Sequence, residues 1–453
     1  MARVERKGLA NFSATPPLGQ FISYPNKRWK TINASQSPSM FECPAPSAMT
    51  SVTRVLTVVE GLGVGGTERA AEQFAIGYAK SGLDSRLWAV GLGGPRHASL
   101  TAGGVEVVLE DGISDLLRAW TPHIIHLHSN GLAIKSVELL RRMAPHAAFV
   151  EQCVFSRPTP WSSELLVSYQ LSEACLSRYA RYPQRAPTAI VPNPVDTSAF
   201  FRDEKAAKEL RTALRIPQGA LVAGRVGQPS TYKWSPLTLR AFDQLADRDP
   251  EAYLVLLGAP QEIKWSLKRS KHRDRIRILP AISNDTDLRS VYSMMDVFVH
   301  ASAQGESFGY VLCEAMLCEV PVVTIDTPWA DNSQREIVGP GGLVSTKPSE
   351  FVEALNIIAR DPRRRKYMGR AGRESVIERF DTSVVCAQSV AVISLRSDAS
   401  AIQGGRWPHV WYSHLNYRIQ SKWRLATLEW LLPKVLSTVQ NRIHSAKSRL
   451  MRY

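Results

Sequence analysis

The stretch from Gly305 to Thr324, GESFGYVLCEAMLCEVPVVT, places Glu306 before an aromatic and a glycine and sets Glu314 inside an apolar run. A helix that only filled a core would have no use for a glutamate between Cys313 and Ala315, since a buried charge is costly unless it serves a purpose. Phe308–Leu317 is expected to be a helix between two strands, with Glu306 in the loop at its start. The N-terminus of such a helix offers free N–H groups and a partial positive charge, which suit a phosphate. Glu306 beside that phosphate can accept hydrogen bonds from hydroxyls of a sugar, and Glu314, about two turns along, from those of a ribose. The plainer alternative is that Glu306 caps the helix and Glu314 forms a structural ion pair.

The run GRVGQPSTYKW supplies cations. Arg225 directly follows an expected strand and Lys233 lies in the loop after it. Two fixed positive charges at the carboxyl end of a strand would stabilise the charge gained by a leaving diphosphate. The alternative is a pair of solvated loop side chains.

Three further motifs carry weaker chemistry. Gly61, Gly63 and Gly66 match GxGxxG between a strand and a helix, as dinucleotide binding requires. The second strand, however, ends without the acid that would hold a ribose, which disfavours a nicotinamide site. A tight turn, or a loop that lets a substrate approach the backbone, fits as well. Asp285 and Asp287 form a DxD, read as the N-terminal cap and first turn of a helix rather than a metal site. His126 and His128 alternate on one strand with no third ligand in view, so no metal is expected; a contact from His128 to a substrate in a cleft stays open. There is no GxxxxGK[ST] loop.

These residues need a scaffold, and the chain provides a repeated one. RVLTVVEG, SRLWAVGL, VEVVLE and PHIIHLHS read as buried strands with helices between them. The helix TERAAEQFAIGYAKSG is expected to stop at Gly82. A second series follows in ALVAGRVG, AYLVLLGA, RIRILP, DVFVHAS and VPVVTID. Strands alternating with helices imply parallel α/β sheets. The expected architecture is two tandem doubly wound domains joined near residues 195–215, with ligands in the cleft between them beyond the carboxyl ends of the strands. The expected boundaries are 1–50 (disordered, or an extension upstream of an alternative start at Met49), 51–205, 206–385, and a helical basic tail over 386–453.

Composition agrees with a globular chain. Of 453 residues, 44% are hydrophobic and 21% charged. No apolar run reaches the roughly 18 residues of a membrane span, and no apolar segment of a signal peptide follows the basic N-terminus. The six cysteines are scattered and read as free thiols in a reducing cytoplasm. The net charge of +15 lies mostly at the ends, +4 in residues 1–48 and +8 in residues 396–453, leaving +3 between. A basic stripe on the folded body, as for a nucleic-acid partner, is therefore not expected. The tail interleaves Arg and Lys with Trp407, Trp411, Trp423 and Trp430. That pattern suits an anionic membrane surface or a helix packed on the first domain, and both readings stay open.

Residues 53–385 resemble the retaining glycosyltransferases of the family 4 type, which have the two-domain GT-B fold. The resemblance rests on GVGGTERAAEQFA, IVPNPVDTSAF, the GR…K of 224–233, and above all GESFGYVLCEAMLCEVPVV, which matches the family's Glu–x7–Glu motif; DVFVHAS and NSQREIVGPGGLVS also fit. It implies transfer of a sugar from a nucleotide diphosphate sugar to a glycan or lipid-linked acceptor, in polysaccharide or glycoconjugate assembly. It also implies no metal and no cofactor; the thiols suggest work in the cytoplasm, and the basic tail the inner face of the membrane. Arg225 and Lys233 would grip the diphosphate and Glu306 the donor sugar, helped by the backbone at Ser307, Phe308 and Gly309. Glu314 would hold the ribose, and Gly65 and Gly66 would line the acceptor side. Where many members have a histidine after the strand AFVEQCVF, this chain has Glu151, Gln152 and Cys153, so Gln152 is expected to substitute by hydrogen bonding. The competing readings are a nucleotide-sugar-binding protein without catalysis, and an epimerase or phosphorylase of the same fold.

Overall fold

A computed structural model describes residues 53–401 other than 92, 283 and 329, and for 398–401 the backbone alone. The first sheet contains β1 (Arg54–Val59), β2 (Asp84–Ala89), β3 (Glu106–Leu109), β4 (Ile124–His128), β5 (Ala148–Cys153), β6 (Val167–Gln170) and β7 (Thr188–Ile190). Its helices are α1 (Gly66–Lys80), α2 (His97–Ala102), α3 (Ile113–Ala119), α4 (Ile134–Met143) and α5 (Glu173–Tyr179). The strand order is β3-β2-β1-β4-β5-β6-β7, all parallel. Strands such as RVLTVV are near-continuously apolar because helices cover both faces of a parallel sheet.

The second sheet repeats the winding. Its strands are β8 (Val222–Val226), β9 (Tyr253–Leu257), β10 (Ile276–Leu279), β11 (Val297–His300), β13 (Val322–Ile325) and β15 (Gly342–Ser345), in the order β10-β9-β8-β11-β13-β15. A separate ribbon pairs β12 (Gly305–Glu306) with β14 (Asp331–Asn332). Around these lie α6 (Glu204–Ala213), α7 (Leu237–Ala246), α8 (Gln261–Leu267), α9 (Asp285–Ser293), α10 (Tyr310–Leu317), α11 (Gln334–Val338), α12 (Pro348–Arg360), α13 (Pro362–Phe380) and α14 (Thr382–Ala401). In each sheet the winding reverses beside the first strand, β1 against β4 and β8 against β11. A crevice opens at such a reversal, past the carboxyl ends of the strands. The two crevices contribute to one cleft of about 470 Å³.

Two connections join the halves. One is the segment after β7, whose Val195 pairs with Asp381 at the junction of α13 and α14. The other is α14, which follows the second sheet in sequence but packs on the first. There Val385, Cys386 and Ile393 share a buried cluster with Phe74, Tyr78 and Tyr169. Ser389 Oγ lies 2.7 Å from the Tyr78 hydroxyl and 3.0 Å from that of Tyr169, and the Gln388 side chain donates to the Ile190 carbonyl at 2.7 Å. Both halves therefore complete their cores from distant sequence.

Local details depart from the sequence expectations in instructive ways. The helix expected from Phe308 starts at Tyr310, because Gly309 adopts φ 86°, a left-handed conformation outside the helix that glycine alone takes without strain. Glu306 lies in the β12–β14 ribbon rather than in an irregular loop. Of the aspartates in the DxD, neither is the cap itself: the Asn284 side chain accepts from the Asp287 N–H at 2.8 Å, and both acids sit in the first turn of α9. The tail expected to begin at 386 starts within α14; its aromatic and basic positions beyond 401 lie outside the described residues. Among the described residues all five cysteines are buried and free. Among those same residues no helix is long and apolar enough to cross a membrane.

Candidate functional site

Glu306, one wall of the cleft, is aimed by a short strand. Its backbone is fixed by pairing with Asn332, and Gly305 before it takes φ 66° with the Asp331 carbonyl packed where a Cβ would stand. Lys233 donates from Nζ to Glu306 Oε2 at 2.7 Å, and His300 Nε2 lies 3.2 Å from Oε1. His300 ends β11 wholly buried, with Nδ1 3.0 Å from Thr324 Oγ1. Burial pulls the His300 imidazole down to about 4, helped by the Arg225 charge, so it is neutral near pH 7. A neutral ring donates from Nε2 to the carboxylate and accepts the threonine hydroxyl at Nδ1. Burial alone would raise Glu306, but the Lys233 ammonium and the His300 contact overcome it and hold the carboxyl down at about 2. Glu306 is thus an anion at neutral pH, able to accept hydrogen bonds and unable to give up a proton.

Arg225, the fourth residue of β8, is 1% exposed and still lines the cleft. Its guanidinium donates to the Val226 carbonyl and, at 2.6 Å, to that of Lys233. It lies 5.1 Å from the Trp234 ring centre. Burial lowers it to about 10, leaving it charged at neutral pH. Its Nε–H has no partner among the described residues. The loop that carries Lys233 is pinned by Trp234, whose indole donates to the Gln228 carbonyl at 2.8 Å.

Glu314 lines the cleft from α10, 3% exposed. Both of its oxygens have partners: Arg69 donates to Oε1 at 2.5 Å and the Tyr292 hydroxyl to Oε2 at 2.8 Å. Arg69 comes from α1 of the first domain and also reaches Asp285 at 2.6 Å. The ion pair of the plainer sequence reading is therefore present, although its partner is 245 positions away. Burial raises the Glu314 carboxyl, and the Arg69 charge opposes that rise.

The remaining expected residues divide into two groups. Ser307, Phe308, Gly309, Gly65 and Gly66 line the same cleft as Arg225, Lys233, Glu306 and Glu314. Ser307 donates to Asp331 at 2.5 Å, and the Phe308 ring packs 5.3 Å from that of Phe380, so only the Phe308 backbone is free to serve a ligand. Gly66 opens α1 against the ring of Tyr310. His128 and Gln152 do not line the cleft, which corrects the expectation of a direct contact. His128 points into the first domain, fully buried, with its ring 4.6 Å from His126 and 5.7 Å from Phe74. Gln152 is also fully buried; it donates at 3.1 Å to Asn193 Oδ1, and Asn193 is the residue on the cleft wall. Sequence reasoning missed His300, Arg69, Tyr292, Asn193 and Asp331. His300 alone left a usable signal, as a polar end to the apolar strand DVFVHAS. Among the described residues no cluster of three His, Cys, Asp or Glu could hold a metal ion.

Comparison with known proteins agrees with this arrangement. Residues 206–375 match the family model of glycosyl transferases group 1. Spore coat protein SA of Bacillus subtilis is 22% identical over 56% of this chain and 74% of its own length. The phosphatidyl-myo-inositol mannosyltransferase of Mycolicibacterium smegmatis is 27% identical over 46% of this chain and 52% of its own length, so the chain spans about half of that relative. Among solved structures, Anabaena HepE in complex with UDP and glucose superimposes with a TM-score of 0.62 at 17% identity, over 76% of this chain and 99% of that one. A glycosyltransferase from Rickettsia africae gives a TM-score of 0.65 at 14% identity, over 76% and 98%. The two facing sheets are thus a GT-B fold, and over residues 206–375 the chain is similar to the glycosyl transferases group 1.

Proposed function

We propose that the cleft binds a nucleotide diphosphate sugar and transfers the sugar, with retention of configuration and without a metal, to a glycan or lipid-linked acceptor. The observation that carries this reading is Arg225, a buried cation on the cleft wall that keeps one N–H unpartnered in the cleft that Lys233 also lines. A buried donor without an acceptor calls for a ligand group, and two cations lining one cleft suit a diphosphate. In the reaction the bond from the anomeric carbon to the diphosphate oxygen breaks and a bond to the acceptor oxygen forms on the same face. The acceptor proton passes to the departing phosphate oxygen. Arg225 and Lys233 would stabilise the charge that collects on that phosphate, the kind of term that dominates such transfers. Glu306, held as an anion, would accept from sugar hydroxyls, and Glu314 from the ribose.

Relatives named as mannosyltransferases, and a structural neighbour holding UDP and glucose, favour a hexose donor. A relative named for phosphatidyl-myo-inositol favours a lipid-linked acceptor at the inner face of a membrane, with the basic tail as the contact. One observation favours a second reading, a nucleotide-sugar-binding protein without turnover: both acids already have two partners within the protein. A thermal-shift screen against UDP-, GDP- and ADP-sugars, followed by a donor-hydrolysis or transfer assay, tests both readings. Stabilisation by one nucleotide class with turnover supports the transferase. Stabilisation without turnover supports the binding protein, and a response to none of the three sinks the donor site.

A further inference from the structure

Arg69 is unusual among the residues of the cleft because it belongs to the acceptor-side domain yet serves the opposite wall. It projects from the second turn of α1 and its guanidinium splits between two carboxylates of the second domain, Glu314 at 2.5 Å and Asp285 at 2.6 Å. Its flat faces are also used: the Phe200 ring centre lies 5.4 Å away and that of Tyr310 5.5 Å away. Tyr310 in turn donates to the Pro194 carbonyl, on the segment that joins the domains, at 3.0 Å. A planar fork between two acids and two rings has little freedom to turn.

We propose that Arg69 is a positioning residue of the donor site, an arm from the first domain that aims and charge-balances the Glu314 carboxylate, so that a full grip on the donor's ribose requires the two domains to meet. This rests on the reading of Glu314 as the ribose contact. A carboxylate has about four acceptor sites on its two oxygens. Arg69 and Tyr292 take one on each, which leaves capacity for two hydroxyls from the cleft. Without Arg69 the carboxyl would sit in an apolar helix with a neutral phenol as its sole direct partner, and burial would drive it towards the protonated form.

The charged surroundings make Arg69 the decisive group. From the first domain Arg69 and, more weakly, Arg96 act on Glu314; from α9 come the Tyr292 hydroxyl and the opposing charge of Asp285. On α10 Cys313, and just past its end Cys318, are thiols raised by burial and therefore neutral, and the α13 cations Arg379 and Arg373 act on them. His300 of β11 faces Glu306 instead. No other side chain bonds Glu314 among the described residues.

The test uses the full chain and the donors UDP-glucose, GDP-mannose and ADP-glucose, whose diphosphates are esterified at both ends and keep a constant charge between pH 5.5 and 8. Affinity is measured by titration calorimetry across that range for wild type, Arg69→Gln, Arg69→Lys and Glu314→Gln, with circular dichroism to verify folding. For the donor that binds, the wild-type affinity relative to Glu314→Gln should fall only shallowly towards pH 5.5, because burial already raises this carboxyl against the Arg69 charge. Arg69→Gln should bind more weakly than wild type at pH 8, where aim alone is lost, and lose further affinity more steeply as pH falls, up to about tenfold per unit. Arg69→Lys should restore most of the shallow profile. An Arg69→Gln profile parallel to wild type at every pH, or no restoration by lysine, overturns the proposal while leaving the donor site standing. Failure of wild type to bind any of the three donors overturns the donor site and this inference with it.

Discussion

Lys233 Nζ lies 2.7 Å from Glu306 Oε2, and that contact joins the loop after β8 to the ribbon that holds β12. The cation proposed for the diphosphate and the acid proposed for the sugar therefore set each other's position. Lys233→Ala should lower kcat by about 10²–10³, the size found when one donor to a developing oxyanion is removed. Lys233→Arg should recover part of it. A steady-state assay with the donor found in the thermal screen reads this directly, and unchanged kcat in the alanine variant removes Lys233 from the mechanism.

Acid should destabilise the protein in two steps. His300 is depressed from 6.5 to about 4, so its stabilising contribution is complete above pH 6.5 and lost as pH falls through 4. Glu306 is depressed from 4.5 to about 2, so its contribution is complete above pH 4.5 and lost as pH falls through 2. His126 and His128, also depressed by burial, add to the first step. His300→Gln should reduce the fall in melting temperature between pH 6.5 and 4 without abolishing it, and Glu306→Gln should reduce the fall below 4.5. Superimposable melting curves for His300→Gln and wild type over the first window would count against the buried neutral imidazole.

Glu151 carries the opposite sign. Burial raises its carboxyl from 4.5 to about 7, against the bonds it receives from Trp161 and Ser168. The folded state therefore favours the protonated form. Stability from this group is present below pH 4.5 and is lost as pH rises through 7. Glu151→Gln, which keeps an acceptor for Trp161, should gain on wild type as the pH is taken from 6 to 8.5 in chemical denaturation. Equal pH slopes for the two proteins would refute this.

Gly305→Ala should damage the site through the backbone. Gly305 has φ 66°, and a Cβ there would overlap the Asp331 carbonyl and Thr327 Oγ1. Strain at such a position costs roughly 1–3 kcal/mol. The β12–β14 ribbon would part, and Glu306 would lose its aim. A lowered melting temperature together with weakened donor binding is expected. Normal donor affinity in a folded Gly305→Ala protein would show that the ribbon does not position Glu306.

Much of the scaffold was legible because its signals are local. Each apolar run from RVLTVVEG to VPVVTID became a parallel strand, and the glycine at 82 ended α1 as read. β6, β15 and the two-residue ribbon were not picked out, since VSYQ, GLVS, GE and DN are too short or too polar to stand apart from loop. The spacing of Glu306 and Glu314 pointed to paired carboxylates facing one cleft. Their partners were hidden: Arg69 on a charged turn of α1 reads as a solvated side chain, and nothing in its neighbourhood foretells a contact 245 positions on. Gln152 and His128 failed as cleft residues for a related reason. A strand end reveals which edge of the sheet it reaches, while the tilt of the next layer decides whether the side chain meets ligand or another side chain.

Because α14 is the last described helix in the sequence and also a wall of the first sheet's core, the N-terminal half cannot finish packing during synthesis until nearly 400 residues have left the ribosome. Ser389 would arrive to satisfy two waiting phenols, Tyr78 and Tyr169. The nascent first half should therefore expose a greasy seam for many seconds and lean on chaperones. A truncated chain ending at 380 should be protease-sensitive throughout, not merely shorter.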